Sequence, residues 1–126
     1  MVADDCDRVR EALVGVLEAS CEVVAAVSTG RDLVTATLDL NPDVVVSDVS
    51  MPLLTGPGAL KQIRRAGNEV PFVLVTAGVL NAPAWLGFGA QAIVDKRDLH
   101  CDLVFAVHAA AAGRIYLSRH ASADRW

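Results

Sequence analysis

Several features that mark common classes of protein are missing from this chain of 126 residues. Its three cysteines (Cys6, Cys21 and Cys101) form no C-x-x-C spacing, and such an odd set is typical of reduced thiols. No apolar run approaches the roughly 20 residues that cross a bilayer. The acidic pair Asp4 and Asp5 lies too near the start for a signal peptide. We therefore predict a cytoplasmic protein that does not span a membrane.

Strong positive charge is also missing, since the net charge is −4 at pH 7. An acidic balance gives no reason to expect direct nucleic-acid binding by this domain. The nucleotide-binding motifs G-x-x-x-x-G-K-[ST] and G-x-G-x-x-G do not occur either. What the chain does have is a hydrophobic fraction of 53%, carried largely by alanine and valine. A chain of this length and composition is sufficient for one domain with its own core.

Short runs rich in β-branched residues alternate with segments of helical spacing. The runs at 1–3, 22–28, 43–48, 71–76 and 91–94 are predicted strands, the first of them clipped or continued upstream. Helices are predicted from Asp7 as N-cap, after Thr29 as N-cap, from Gly56 and from Asp98, with a weaker one at 81–89. Five strands alternating with helices predict an α/β fold with a doubly wound parallel sheet.

Polar side chains follow the predicted strands at the points where the strands end: Asp4, Asp5, Asp48, Thr76 and Lys96. In open α/β folds the carboxyl ends of parallel strands share one edge, which is where ligands bind. Three carboxylates gathered there would repel one another unless a hard cation such as Mg²⁺ lay among them. A carboxylate can also attack a phosphoryl group, helped by a lysine and a hydroxyl. The pattern predicts a site for Mg²⁺ and phosphoryl transfer.

The chain resembles a response-regulator receiver domain over about residues 1 to 117. The resemblance rests on the pair Asp4-Asp5, Asp48 in Val-Ser-Asp-Val-Ser-Met-Pro, Gly56, Thr76 in Val-Leu-Val-Thr-Ala and Lys96 in Ala-Ile-Val-Asp-Lys. Each motif is weak alone, but together, in this order and each at a strand end, they are specific. The resemblance implies a flavodoxin-like fold with five strands in the order 2-1-3-4-5.

The resemblance also implies a role for each site residue. Asp48 would accept a phosphoryl group from a phosphohistidine on a sensor histidine kinase. Asp5, helped by Asp4, would hold Mg²⁺ together with Asp48 and the backbone carbonyl of Ser50. Thr76 and Lys96 would bind the phosphoryl oxygens, and a movement of Thr76 would start a conformational switch. The domain would catalyse nothing beyond its own phosphorylation and dephosphorylation, and so would not be an enzyme in the ordinary sense.

Two further segments, Gly30-Arg31-Asp32 and the sequence from Gly113 to Ser118, resemble receivers that precede a LuxR-type helix-turn-helix. A DNA-binding domain of that type would follow in a longer protein, and a homodimer is a further partner that the resemblance allows. We place the receiver domain at residues 1–117. Residues 118–126, which include His120, are predicted to be a tail or the start of a linker, without a binding site.

The chain departs from the family pattern in two places. Ile93 stands where most such receivers have a tyrosine or phenylalanine, so the usual coupling to Thr76 would be altered. The stretch between Thr76 and Lys96 is about two residues shorter than is typical and contains Pro83 and three glycines. We therefore predict a short or distorted fourth helix and a modified output face. Trp85 and Trp126 are candidates for a contact surface, although Trp85 could equally cover the core.

Two other functions are consistent with parts of this pattern. The first is an atypical receiver that acts as a protein-interaction module without phosphorylation, which Ile93 and the shortened 76–96 segment favour. The second is a phosphohydrolase with an aspartyl-phosphate intermediate. Haloacid-dehalogenase-type phosphatases carry a second acid two residues after the nucleophile, and here that residue is Ser50. The phosphohydrolase therefore ranks last.

Overall fold

A computed structural model of the protein describes residues 1–78 and 82–123. Strands and helices alternate along them as β1 Val2–Ala3, α1 Asp7–Glu18, β2 Ala26–Val27, α2 Gly30–Leu40, β3 Val45–Asp48, α3 Gly56–Arg65, β4 Phe72–Thr76, α4 Ala82–Gly87, β5 Ala92–Asp95, a 3₁₀ turn Lys96–Asp98, α5 Leu99–Ala111, β6 Tyr116–Leu117 and α6 Arg119–Ala123. Within this part of the chain, no helix is long and apolar enough to cross a membrane.

The strands form one parallel sheet in the order β2-β1-β3-β4-β5-β6. The expected flavodoxin-like order 2-1-3-4-5 is confirmed, and β6 is a sixth strand beyond the five expected. Helices cover both faces, so alternate residues of each central strand enter different core layers. Val45 and Phe72 pack in the layer with α2 and α3, whereas Val46 and Val73 pack in the layer with α1 and α5. Burial on both faces explains why these strands are continuous apolar runs.

The second strand is much shorter than its apolar run suggested. Residues 22–28 were expected to be extended, but the strand covers Ala26–Val27 alone. The reason lies in its partner, because β2 pairs with β1, and β1 has two residues. A parallel ladder cannot continue past the end of the strand that it pairs with, whatever the β propensity of Val23 and Val24.

Capping residues mark both ends of α2, whereas the cap of α1 differs from the one predicted. Thr29 caps α2 as predicted, and its Oγ1 accepts a hydrogen bond of 3.1 Å from the Asp32 amide. Asn41 ends α2 in the left-handed conformation, directly before Pro42. The prediction of Asp7 as N-cap was wrong. Cys6 holds that position, and Asp7 is the first helical residue, with its carboxylate 2.6 Å from the Arg10 guanidinium.

The fourth helix is short, as predicted, with six residues from Ala82 to Gly87. Trp85, on this helix, is 6% exposed and belongs to the same core layer as Ile63 and Phe72. It therefore covers the core and does not offer a contact surface. Trp126 and residue 81, where the weak helix was expected to begin, lie outside the described residues.

The segment after α5 packs against the rest of the molecule. Its strand β6 pairs with β5, and Ser118 and Ala121 are fully buried. The Tyr116 hydroxyl donates a 2.6 Å hydrogen bond to the Asp102 carboxylate on α5. A domain boundary after residue 117 stays a prediction, but packing against the sheet continues at least to Ala121. Polar contacts between residues far apart in sequence hold this segment, so no periodic pattern in the sequence predicts that it packs against the sheet.

Asp98 is the main anchor of that segment. Its Oδ2 accepts hydrogen bonds from the Ser118 hydroxyl at 2.7 Å and from the His120 amide at 2.8 Å. The His120 ring Nδ1 lies 2.5 Å from Asp98 Oδ1. Burial alone would raise the pKa of Asp98, but the hydrogen bonds from Ser118 and His120 outweigh it and lower the pKa to about 2.

This anchor predicts a loss of stability at acid pH. A carboxyl whose pKa is lower in the folded state stabilises the fold above its unfolded pKa, and that contribution disappears as the pH falls towards 2. Asp98→Asn should lower the free energy of unfolding by about 1–3 kcal/mol at pH 7, because hydrogen bonds to a charged group are lost. The deficit relative to the wild type should shrink between about pH 4 and pH 2. Urea denaturation over this pH range measures both, with the exposed Asp39→Asn as control; a constant deficit would contradict the prediction.

The connection from β3 to α3 requires glycine at position 56. A Cβ atom there would lie 2.2 Å from the Asp48 carbonyl oxygen and 3.0 Å from Ser47 Oγ. The Gly56 amide also donates a 2.9 Å hydrogen bond to the Val49 carbonyl, which fixes this close approach. The loop that follows Asp48 is therefore folded back tightly against the end of its own strand.

Gly56→Ala should lower the free energy of unfolding by about 2–3 kcal/mol, because backbone atoms must move to admit the methyl group. The matched control is Gly15→Ala on α1, where a Cβ meets no atom within 4 Å. That change should stabilise the protein by about 0.5–1 kcal/mol, since alanine is the better helix former. Chemical denaturation of the two variants measures the contrast. Equal effects would mean that the close approach at Gly56 does not matter.

Candidate functional site

One edge of the sheet collects the polar residues that the sequence singled out. Asp4 and Asp5 follow β1, Asp48 ends β3, Thr76 ends β4 and Lys96 follows β5. The parallel register sets their levels, because Ala3 pairs with Ser47, Asp48 with Val75 and Thr76 with Asp95. The carboxyl ends of these neighbouring strands therefore meet, as the doubly wound topology requires.

Three carboxylates lie together at this edge. One oxygen from each of Asp4, Asp5 and Asp48 lies within 4.8 Å of the others. Asp4 is fully buried and Asp48 is 4% exposed, whereas Asp5 is open to solvent. The Cys6 amide donates a 2.9 Å hydrogen bond to Asp4 Oδ1. Asp4 Oδ2, by contrast, is a buried oxygen without a hydrogen-bond partner among the described residues.

The electrostatics of this cluster are unfavourable for two buried anions. Burial raises the pKa of Asp4, and the hydrogen bond from the Cys6 amide and the charge of Lys96 oppose that rise. Burial also raises the pKa of Asp48, and the negative charge of Asp4 raises it further. An unpaired buried carboxylate oxygen and two raised pKa values fit a hard divalent cation with oxygen ligands. The donor set is therefore suited to Mg²⁺.

Lys96 supplies positive charge at the same place. Its Nζ lies 3.3 Å from Asp48 Oδ1, and its side chain is one-third exposed. The ion pair lowers the pKa of Asp48, against the larger effect of burial. Lys96 is the first residue of the 3₁₀ turn after β5, so the backbone of that turn determines the position from which its side chain extends towards Asp48.

Thr76 and Ser50 lie at the same edge, where they were expected to bind phosphoryl oxygens and Mg²⁺, respectively. The Thr76 hydroxyl donates to the Gly78 carbonyl and accepts a 3.1 Å hydrogen bond from the Gly78 amide. It is thus occupied by its own loop. Ser50 is exposed, two residues beyond Asp48 in the β3–α3 loop. The roles of both residues in binding phosphate or metal remain predictions.

Ile93 is completely buried in β5, between Leu74 of β4 and Leu117 of β6. An aromatic residue in this position could turn between a buried and an exposed orientation, whereas this isoleucine belongs to the core layer that contains Trp85. A rotation of this side chain towards solvent would remove apolar surface from the core, at a cost of about 2 kcal/mol.

Sequence reasoning missed two groups of residues around the site. The Arg10 guanidinium donates a 2.9 Å hydrogen bond to the Asp4 carbonyl, so it holds the loop that carries the acidic pair. Next to Lys96, the Asp95 amide donates to Ser118 Oγ at 2.9 Å. A basic residue in the first turn after the acidic pair was a weak signal for Arg10. Nothing in the sequence signalled the contact between positions 95 and 118.

Comparison with known proteins supports the geometry. The chain matches the family model described as response regulator receiver domain over residues 1–108. A protein-glutamate methylesterase/protein-glutamine glutaminase of a Nocardioides species is 31% identical over 102 residues, covering 76% of this chain and 28% of that protein. The signal receiver domain of NarL from Mycobacterium tuberculosis is 27% identical, with a TM-score of 0.84 and coverage of 90% and 94%. A LuxR-family response regulator from an Aurantimonas species is also 27% identical, with a TM-score of 0.89 and coverage of 98% and 91%.

The chain spans less than a third of the length of the first curated relatives, which are 28%, 29% and 29% covered. The similarity therefore concerns one domain of those proteins. The family model extends from β1 into α5, so it includes the acidic edge and five of the six strands described above, and β6 lies beyond it. By fold, by site geometry and by family match, this chain belongs to the response-regulator receiver domains.

Proposed function

We propose that this receiver accepts a phosphoryl group on Asp48 from the phosphohistidine of a sensor histidine kinase, and that this modification switches its conformation. The observation that carries the proposal is the placement of Asp48, which lies at the end of β3 beside Asp4 with Lys96 Nζ 3.3 Å away. A carboxylate held between a cation and a candidate metal site can act as a nucleophile towards phosphorus.

The proposed step is a displacement at phosphorus. A carboxylate oxygen of Asp48 forms the new O–P bond while the N–P bond of the phosphohistidine breaks. The electron pair of that bond returns to the imidazole nitrogen, and the product on this chain is an acyl phosphate. Such a reaction needs little covalent chemistry from the protein and depends on positioning and neutralisation of charge. The Lys96 ammonium is suited to neutralise oxygens of the transferred group.

Asp4, Asp5, Asp48 and the backbone carbonyl of Ser50 are the groups that would hold Mg²⁺. When bound, the ion would neutralise the clustered carboxylates and the phosphoryl oxygens. The buried oxygen Asp4 Oδ2 supports this assignment, since it has no hydrogen-bond partner among the described residues. In this arrangement Asp4 would be the buried ligand and Asp5 the solvent-exposed ligand of the ion.

Thr76 is the residue that would respond to the modification. Its hydroxyl is now bonded to the Gly78 backbone, so binding a phosphoryl oxygen would require it to leave those two bonds. That exchange would release the backbone of Gly78, two residues after the end of β4. Because Ile93 is buried in the core, we expect the change to spread through loop and helix positions more than through rotation of a side chain at position 93.

The setting of this reaction follows from the family. The domain would work in the cytoplasm and, apart from its own phosphorylation and dephosphorylation, would have no catalytic activity. A histidine kinase is the proposed partner upstream, and a homodimer or a following LuxR-type DNA-binding domain would carry the output. Residues 1–117 would form the receiver unit.

A phosphorylation-independent interaction module is the second candidate function. Ile93 favours it, because this completely buried residue takes the place of the aromatic that couples to Thr76 in most receivers. In that case the acidic cluster would serve the fold or a metal ion, and partners would recognise the unmodified protein.

Incubation with Mg²⁺ and acetyl phosphate should add one phosphoryl group to the wild-type protein, measured as intact mass. Asp48→Asn should take up none, because the nucleophile is gone, and chelation of the metal should abolish the adduct. Asp39→Asn is a matched control, since Asp39 is exposed on α2 and lies outside the cluster. Absence of the adduct in a folded wild-type sample would refute phosphorylation and favour the interaction module.

Asp4→Asn should weaken Mg²⁺ binding by about tenfold or more, because a buried ligand loses its charge. Without metal, the same change should raise the free energy of unfolding by about 1 kcal/mol, since it removes repulsion with Asp48. Titration calorimetry and thermal denaturation measure the two effects, with the exposed Asp39→Asn again as control. A metal-free variant less stable than the wild type would argue that Asp4 is structural and does not belong to a cation site.

A further inference from the structure

Ser118 lies beyond the acidic site and has no part in the proposed chemistry, yet it contacts the turn that carries Lys96. It is completely buried and directly follows β6. Its amide donates a 3.0 Å hydrogen bond to the Ile93 carbonyl, which continues the pairing of β6 with β5. Its hydroxyl is therefore fixed at the end of the ladder, next to the end of β5.

The hydroxyl of Ser118 joins the two sides of the Lys96 turn. It accepts a 2.9 Å hydrogen bond from the Asp95 amide and donates a 2.7 Å hydrogen bond to Asp98 Oδ2. Asp95 precedes Lys96 and Asp98 ends the same 3₁₀ turn. One side-chain oxygen thus fixes the backbone on both sides of the lysine.

A side chain is needed at this point because β6 is too short to provide a backbone partner. β6 pairs with Ala92 and Ile93, and its residues end at Leu117. The buried Asp95 amide would then lack an acceptor, and the Ser118 hydroxyl supplies it. Asp98 in turn binds the His120 amide and ring, so the C-terminal segment Tyr116–Ala121 and the Lys96 turn form one connected unit.

We propose that Ser118 is a positioning residue for the phosphoryl-transfer site, which acts by fixing the turn from which Lys96 reaches Asp48. This inference rests on the proposed function of Asp48. Lysine has a flexible four-carbon stem, so its ammonium is placed only as well as the backbone that carries it. By the same connection, a movement of Lys96 towards a phosphoryl group would disturb the bonds that hold the C-terminal segment. Such coupling must act in both directions.

The test compares rates of phosphorylation by acetyl phosphate with Mg²⁺, followed by intact mass. Ser118→Ala should slow the reaction by about tenfold, because Lys96 loses its defined position. In a Lys96→Gln background, Ser118→Ala should have no further effect, since its influence passes through the lysine. The matched control is Asn68→Ala, which removes a 2.9 Å bond to the Val70 amide at the opposite edge of the sheet and should leave the rate unchanged.

Equal slowing by Ser118→Ala in both backgrounds, or no slowing in either, would overturn the positioning role while leaving phosphorylation of Asp48 intact. A wild-type protein that gains no phosphoryl group would overturn both proposals. Hydrogen exchange on the wild type provides a test that needs no substitution at position 118. Exchange in residues 116–121 should rise by about threefold or more on phosphorylation and stay constant in Asp48→Asn. An adduct that leaves this exchange unchanged would contradict the coupling.

Discussion

The repulsion between two buried carboxylates is the constraint on which this structure depends. Asp4 and Asp48 are almost completely buried, and burial raises the pKa of both. The charge of Asp4 raises the pKa of Asp48 further, and the charge of Asp5 adds to the rise in the pKa of Asp4. Asp4 and Asp48 are neighbours because β1 and β3 are adjacent parallel strands that end at the same level. The unfavourable contact is thus built into the strand order, and positive charge at this edge relieves it without protonation of either carboxylate. Lys96 supplies part of that charge, which leaves the cluster suited to a cation.

Hydrogen bonds and close packing around the cluster keep Asp4 and Asp48 near each other. The Cys6 amide fixes one oxygen of Asp4, the Arg10 guanidinium holds the Asp4 carbonyl, and Gly56 lets the β3–α3 loop close tightly over the Asp48 carbonyl. The carboxylates therefore cannot simply turn apart into solvent. A site that stores unfavourable charge in this way exchanges some fold stability for a strong response to a metal ion or a phosphoryl group, as expected of functional sites.

The sequence was sufficient to predict the central sheet and the polar residues that meet at its edge, because buried parallel strands are apolar runs that end on polar residues. The roles of those residues stay predictions. The sequence was insufficient where the structure of a segment depends on another segment that pairs with it. The length of β2 depends on the two residues of β1, and β6 depends on a ladder with β5. Likewise, Ser118 and Asp98 are 20 residues apart, and no periodic pattern encodes a hydrogen bond between them. Ser118 was predicted to lie in a tail because the residues after Gly113 show no clear periodicity.

The position of β6 also limits how a signal can leave this domain. β6 occupies the side of β5 away from β4, so a partner cannot add a strand there without displacing it. Ile93 of β5 is completely buried in the core, so turning its side chain to the surface would cost about 2 kcal/mol. Among the described residues, the segments whose polar contacts reach the site are Gly78, bonded to the Thr76 hydroxyl, and the C-terminal segment, joined to the Lys96 turn through Ser118. The proposed change at Asp48 would therefore have two routes out of the site, one through Thr76 to Gly78 and one through the Lys96 turn to the C-terminal segment.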